Sequence, residues 1–346
     1  MQTVPQEIYI GDDGPPPVNR PSTAAAFQAT PRVPKRAHIL AVIDKLSRAE
    51  PIAHNAVAIA RSLGLEVTLA RVVEHGLNSA TLVDPIAWQC DLERQRAMLD
   101  AVAKGIPGST TASGIVLVGD PPDELIDWAE ANGATLLALA TGTAADPYAM
   151  DATALRVLQS GATSLLLVPP QAVASAFRYR RILVPIDGST RAESVLPIAQ
   201  RIARAHGAEL LLAHVVPEAG RFHGFQTHRL DSLKAEFDRQ NQRSAGTNLE
   251  QLRARIEGDG IDVQVRLLGP ADPRHAICRF ACDLSVDLVV MSSHGATALN
   301  DVPCGSVAEY LATHCSMPVL LVRPNLVTDF GAGSFDTNGQ SVFRFD

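Results

Sequence analysis

The chain has 346 residues, 46% of them hydrophobic and 19% charged, with a formal net charge of -7; this is enough apolar material for two domains with their own cores and too much for a disordered chain. Acidic and basic residues are interspersed, so no basic face for nucleic acid or an anionic membrane is expected, and apolar runs such as Leu165 to Val168 and Leu288 to Met291 are strand-sized, far short of the ~20 residues a membrane-spanning helix needs. Five cysteines without regular spacing, and an opening segment that carries Glu7, Asp12 and Asp13 in place of a charged start and an apolar stretch, point to the cytoplasm rather than to a disulfide framework or a targeting signal.

Residues 1–35 are rich in Pro, Ala, Thr and Gln, with GDDGPPP in their middle, and are expected to be a flexible arm. Two copies of one unit follow, at residues 36–170 and 179–324, joined by a linker at 171–178. The run ILAVID from Ile39 to Asp44 returns as ILVPID from Ile182 to Asp187, and ARSLGLE from Ala60 to Glu66 returns as ARAHGAE from Ala203 to Glu209 at the same offset of 143. Later the offset drifts, pairing Gly119 with Gly269 and LLLVPP (Leu165 to Pro170) with VLLVRP (Val319 to Pro324). A tail at 325–346 is again expected to be flexible, although Phe335, Phe343 and Phe345 could dock on a surface.

The second copy reads as alternating strands and helices. Arg181 to Ile186 is a short β-branched run, and Val195, Ile198, Ala199, Ile202 and Ala203 recur at helical spacing, predicting one helix with a buried face. Gly207 stops it, and a strand at Leu210 to Val216 follows. A long polar helix from His228 to Glu257, a strand at Val263 to Leu268, a helix from Ala271 to Cys282 and a strand at Leu288 to Met291 come next. A Gly-containing loop, a helix beginning at Ser306 and a strand at Val319 to Val322 complete the unit. Strands that are apolar throughout belong in a sheet covered on both faces. The expected fold class is α/β, two tandem doubly wound, mostly parallel five-stranded sheets.

In such sheets ligands bind beyond the carboxyl ends of the strands. The first strand of the second copy ends in Pro185-Ile186-Asp187-Gly188-Ser189, where Asp187 can accept hydrogen bonds from a ribose or an adenine amino group; it can equally cap a helix. The fourth ends in MSSHGATALNDVPCGSVAEY, Met291 to Tyr310. There Gly295 permits close backbone approach, and Gly305-Ser306 opens a helix whose first N–H groups form an anion site. Ser306 and Glu309 also have capping-box spacing.

These residues resemble the universal stress protein family, whose ATP-binding branch carries G-x2-G-x9-G-S/T; the corresponding positions here are Ser292-x2-Gly295-x9-Gly305-Ser306. The resemblance extends from about Arg36 to Pro324 as tandem domains and implies a bound adenine nucleotide, ATP or AMP. By that resemblance Asp187 sits by ribose or adenine, and Pro185, Val215 and Met291 border the base. Gly295, Gly305, Ser306 and Val307 hold ribose and phosphates. Ser292 replaces the first glycine, and no Lys or Arg lies between Ser292 and Val307, which leaves phosphate charge to backbone dipoles, His294 and Mg²⁺. The family also pairs domains through their last strands, here Leu165 to Val168 with Val319 to Val322. This implies an internal pseudo-dimer, with surfaces left for a homodimer or a protein partner.

The first copy departs from the pattern. Its loop, Ala140 to Ala154, has Asp151-Ala152 where Gly305-Ser306 stand in the second, and an acidic side chain at a helix start uses the N–H groups a phosphate would. Asp44 persists, followed by Lys45-Leu46-Ser47 in place of Gly-Ser-Thr. This copy is expected not to bind ATP. Cys278 and Cys282 lie one helical turn apart and are expected in the core. Cys304, before a helix start, is a candidate reactive thiol, and His214, His223 and His228 lack the companions of a metal site. No P-loop and no G-x-S-x-G elbow is present, so the expectation is a stress-response binding protein rather than an enzyme; its alternatives are an interaction module without nucleotide and a weak hydrolase using His294.

Overall fold

A computed structural model describes residues 37–74, 84–106, 112–142, 152–160, 163–170, 172, 178–217, 228–295, 304–323 and 326. The arm, the linker's middle, most of the tail, the loop carrying Asp151 and His223 lie outside the described residues.

The first half comprises β1 (His38–Val42), α1 (Leu46–Leu63), β2 (Glu66–Val73), α2 (Pro85–Gly105), β3 (Ala112–Val118), α3 (Pro121–Asn132), β4 (Ala134–Ala140), α4 (Ala152–Ser160) and β5 (Ser164–Val168). The second comprises β6 (Arg181–Pro185), α5 (Thr190–Glu193), α6 (Leu196–His206), β7 (Glu209–Pro217), α7 (His228–Glu257), β8 (Val263–Ala271), α8 (Pro273–Asp283), β9 (Leu288–Ser292), α9 (Ser306–His314) and β10 (Val319–Val322). All these strands form one ten-stranded sheet in the order β3-β2-β1-β4-β5-β10-β9-β6-β7-β8. Within each half every pairing is parallel, and the fold is α/β, with two doubly wound units sharing the sheet. β1, β5 and β10 are buried along their whole length, which is why their sequences carry no polar alternation.

The halves meet where β5 and β10 run antiparallel, with Leu166 opposite Leu320 and Leu167 opposite Val319. Leu166 and Leu320 are both fully buried. Arg323, buried just past β10, locks the joint: its backbone N–H donates to Ser164 Oγ at 2.9 Å and its Nη2 to the Leu158 carbonyl at 2.6 Å. A second contact joins α1 to α6. Buried Tyr179 donates its hydroxyl to Asn55 Oδ1 at 2.9 Å, and the His206 ring reaches the Ala58 carbonyl at 3.4 Å and the Tyr179 N–H at 3.3 Å. Burial lowers the His206 pKa below its ordinary value and raises that of Tyr179.

The single helix anticipated after β6 is two. Pro197 has no N–H to give and its ring clashes with the carbonyl four residues back, which is Glu193, where α5 ends; α6 then starts with Pro197 in its first turn. The anticipated apolar face survives the break, with Val195, Ile198, Ala199, Ile202 and Ala203 all fully buried. The C-terminal part of α7 buries Leu249, Leu252 and Ile256, at spacings of three and four. Among the described residues no helix is long and apolar enough to cross a membrane.

Candidate functional site

In the second half the chain turns in opposite directions from β6, to β7 on one side and β9 on the other, so the loops that leave β6 and β9 diverge and open a crevice. A pocket of about 790 Å³ occupies it. All ten residues singled out in the second copy, from Pro185 and Asp187 to Ser306 and Val307, line this pocket.

The floor is built first by the turn after β6. Gly188 takes φ +80°, a left-handed conformation that a side chain disfavours. This turn lets Ser189 donate both its N–H, at 2.9 Å, and its hydroxyl, at 2.6 Å, to Asp187 Oδ1. Ser189, not Asp187, is the N-cap of α5, accepting from the Ala192 N–H at 3.1 Å. The other carboxylate oxygen faces the loop after β9: a Cβ on Gly295 would lie 2.5 Å from Asp187 Oδ2. A side chain at 295 would therefore push the Asp187 carboxylate from its present place.

Ser292, the departure from the family pattern, turns its hydroxyl onto the loop itself, donating to the His294 carbonyl at 2.6 Å. It braces the turn and leaves its hydroxyl proton committed. His294 Nδ1 lies 2.9 Å from Ser293 Oγ, so the one imidazole of the loop is oriented by its neighbour. Gly305 then returns the chain, its N–H bonding the Ser293 carbonyl at 2.8 Å. Gly305 is the N-cap of α9, and among the described residues no side chain caps that helix; the capping box anticipated from Ser306 and Glu309 does not form because both already lie inside the helix. The first turn of α9 therefore presents N–H groups to the pocket wall, with the positive end of the helix dipole behind them.

Two features of the wall were not anticipated. α8 contributes Asp272, Pro273, Arg274 and Ile277, bringing a guanidinium to a site whose own loop has none. Asp272 is the N-cap of α8, accepting from the Arg274 N–H at 2.9 Å, and its carboxylate is gripped by the Arg274 guanidinium, Nη2 to Oδ2 at 2.6 Å. That hydrogen bond holds the Asp272 carboxyl at a pKa of about 2, well below the usual range. His214 also lines the pocket, its Nδ1 2.8 Å from the Ile186 carbonyl. Contacts from elements so distant in sequence leave no local motif.

The first half builds the same strand end differently. Lys45 stands where Gly188 does and takes an extended φ of -138°, so α1 begins at once with Leu46. There is no serine hydroxyl for Asp44, which instead pairs with buried Arg48, Nη1 to Oδ2 at 3.3 Å.

Two expectations about cysteines are corrected. Cys304 is buried, and burial pushes its thiol up to about 11, which removes it as a reactive group. Cys278 and Cys282 are not core residues: the former is half-buried and the latter exposed.

Known proteins supply the family. A profile described as the universal stress protein family matches residues 35–169 and again residues 178–323. The chain belongs to the universal stress protein family. Among its relatives, a universal stress protein of Thermus aquaticus is 30% identical over 146 residues, 42% of this chain and 99% of the relative. One of Methanocaldococcus jannaschii is 26% identical over 160 residues, 42% of this chain and 95% of its own. A solved universal stress protein from Archaeoglobus fulgidus matches 83% of this chain and 98% of its own, with TM-score 0.56 and 20% identity. It shares the tandem fold.

Proposed function

We propose that this universal stress protein binds an adenine nucleotide, ATP or AMP, in the pocket of its second half, and that the first half is a partner that does not bind it. The observation that carries this reading is the glycine-led start of α9, which opens on a pocket whose volume of about 790 Å³ falls in the range of small-molecule sites. Pro185, Val215 and Met291 offer apolar surface for the base, and Asp187 an acceptor for ribose hydroxyls or the adenine amino group. The backbone N–H groups at Ser306 and Val307, with Gly295, His294 and Gly305 beside them, face the phosphates. Ser292 shapes the loop, and Arg274 supplies the cation that the loop lacks. Among the described residues no three metal-ligating side chains converge, so Mg²⁺ enters only as a companion of the phosphates. The protein acts in the cytoplasm by nucleotide-dependent interaction, with domain boundaries at 36–170 and 179–324.

Isothermal titration calorimetry with ATP and with AMP tests this on the wild type and on Gly305→Asp. A Cβ at residue 305 meets nothing closer than 3.5 Å, so the substitution fits; its carboxylate takes the N–H groups and repels the phosphate, weakening binding by about 100-fold or more. If neither nucleotide binds the wild type at millimolar concentration, the chain is instead an interaction module. Asp187 favours that second reading, because one carboxylate oxygen is already held by Ser189. Binding is the activity proposed, not turnover; ATP hydrolysis that disappears in His294→Ala would make the protein a hydrolase.

A further inference from the structure

Three of the chain's five cysteines gather where α8 passes the end of α9, away from any motif. α8 turns Ile277 inward to the pocket wall, and this rotation points the next residue, Cys278, at the last turn of α9. Cys315 is the C-cap of α9, its N–H held by the Leu311 carbonyl. Its thiol donates to Cys278 Sγ across 3.7 Å. Cys278 Sγ also lies 3.6 Å from the His314 carbonyl. Cys282, one turn further along α8, reaches Ser316 Oγ at 4.0 Å.

We propose that Cys278 and Cys315 form an oxidation site, a dithiol that a hydroperoxide converts to a disulfide joining α8 to the end of α9. The two sulfurs have different environments, which assigns their roles. Cys278 is half-buried and receives the Cys315 hydrogen bond, which lowers its thiol pKa to about 7; it is the nucleophile. Cys315 is buried, and the same hydrogen bond together with burial raises its pKa; it keeps its proton and resolves. Cys282 is raised as well, first by burial, and stays a thiol. Its position on the helix also disqualifies it: side chains one turn apart hold their Cβ atoms about 5–6 Å from each other, whereas a disulfide needs about 3.8 Å.

The Cys278 thiolate attacks one peroxide oxygen, the O–O bond breaks and hydroxide or an alkoxide leaves, taking up a proton from water. Sulfur has lost two electrons and the peroxide has gained them, leaving a sulfenic acid. The Cys315 sulfur then attacks the Cys278 sulfur, the S–O bond breaks, the thiol proton goes to the departing oxygen and water is released. The sulfurs close from 3.7 Å to about 2.05 Å by side-chain rotation.

The test uses the full chain, reduced and then treated with equimolar hydrogen peroxide, with thiols counted in denaturant and bridged peptides mapped by mass spectrometry. The wild type should fall from five thiols to three and yield one linked peptide pair, Cys278 with Cys315. Cys282→Ser, which starts with one thiol fewer, should likewise lose two and yield the same linked pair. In Cys278→Ser the loss should slow by about tenfold or more, and in Cys315→Ser the sulfenic acid on Cys278 should persist and be trapped by dimedone. Retention of all five thiols by the wild type, a Cys278 to Cys282 bridge, or a bridge found only between molecules would overturn the assignment. Because the bridge is mapped in the wild type, a variant that fails to fold does not blunt the result.

Discussion

The same strand end is finished in two ways in this molecule. In the second half, glycine at 188 adopts a left-handed turn, a serine follows, and the aspartate is held by two short local hydrogen bonds beside an open pocket. In the first half lysine replaces that glycine, the turn becomes extended, and the equivalent aspartate swings to a buried arginine. With two residues changed, the aspartate that stands at a crevice in one half is, in the other, paired with a buried arginine. The difference needs no collapse of the fold: the backbone conformation of one turn residue redirects a carboxylate.

Four experiments break or sharpen that contrast. The largest effect belongs to the joint the halves share: Leu320→Ala and Leu166→Ala should each cost about 2–5 kcal/mol in urea unfolding, because both side chains are fully buried. Equal costs mean the halves contribute equally to the seam; a large difference means that one repacks. Next, Arg48→Ala removes a buried side chain and strips half-buried Asp44 of its partner, and should cost about 1–3 kcal/mol, whereas Arg191→Ala, at the matching exposed position, should stay within about 0.5 kcal/mol. Similar losses at both positions would contradict the ion-pair account.

Third, Gly188→Lys should cost about 1–2 kcal/mol, since a side chain resists φ +80°, and should weaken nucleotide binding; Lys45→Gly should change stability by less than about 0.5 kcal/mol, because glycine is accepted at an N-cap. The smallest effect is on pH dependence. His206 occupies the position of Leu63, and burial lowers its pKa from the ordinary 6.5. Below that pH the unfolded chain takes up a proton that the folded one refuses. Stability should therefore be fully present above about pH 6.5 and decline as the pH falls through the lower folded value. Comparing urea midpoints at neutral and mildly acidic pH checks this, and His206→Leu should flatten that decline.

Much of this was legible in the residues. The apolar strands and their repetition at an offset of 143 carry the tandem sheet, because a strand covered on both faces has no room for polar alternation. The site residues were legible because the crevice forms where loops leave the carboxyl ends of β6 and β9, and those loops are read directly off the chain. The break at Pro197 was also written there, four residues after Glu193, and was masked by an apolar period that continues across it. What was illegible came from packing between distant segments. Arg274 reaches the pocket from α8, and Cys315 meets Cys278 from 37 residues away. The fate of Asp44 depended on the turn angle at Lys45, which residue type restricts but does not state.

The antiparallel joint between β5 and β10 lies within a single polypeptide. Subunits that meet by diffusion separate on dilution and can exchange mates, whereas these two are tethered, and their meeting is intramolecular. Every ribosomal product therefore carries one half of each kind, in a ratio set by translation and insensitive to expression level. Evolution can then let one member drift from its original task without the risk of assembling two drifted copies together.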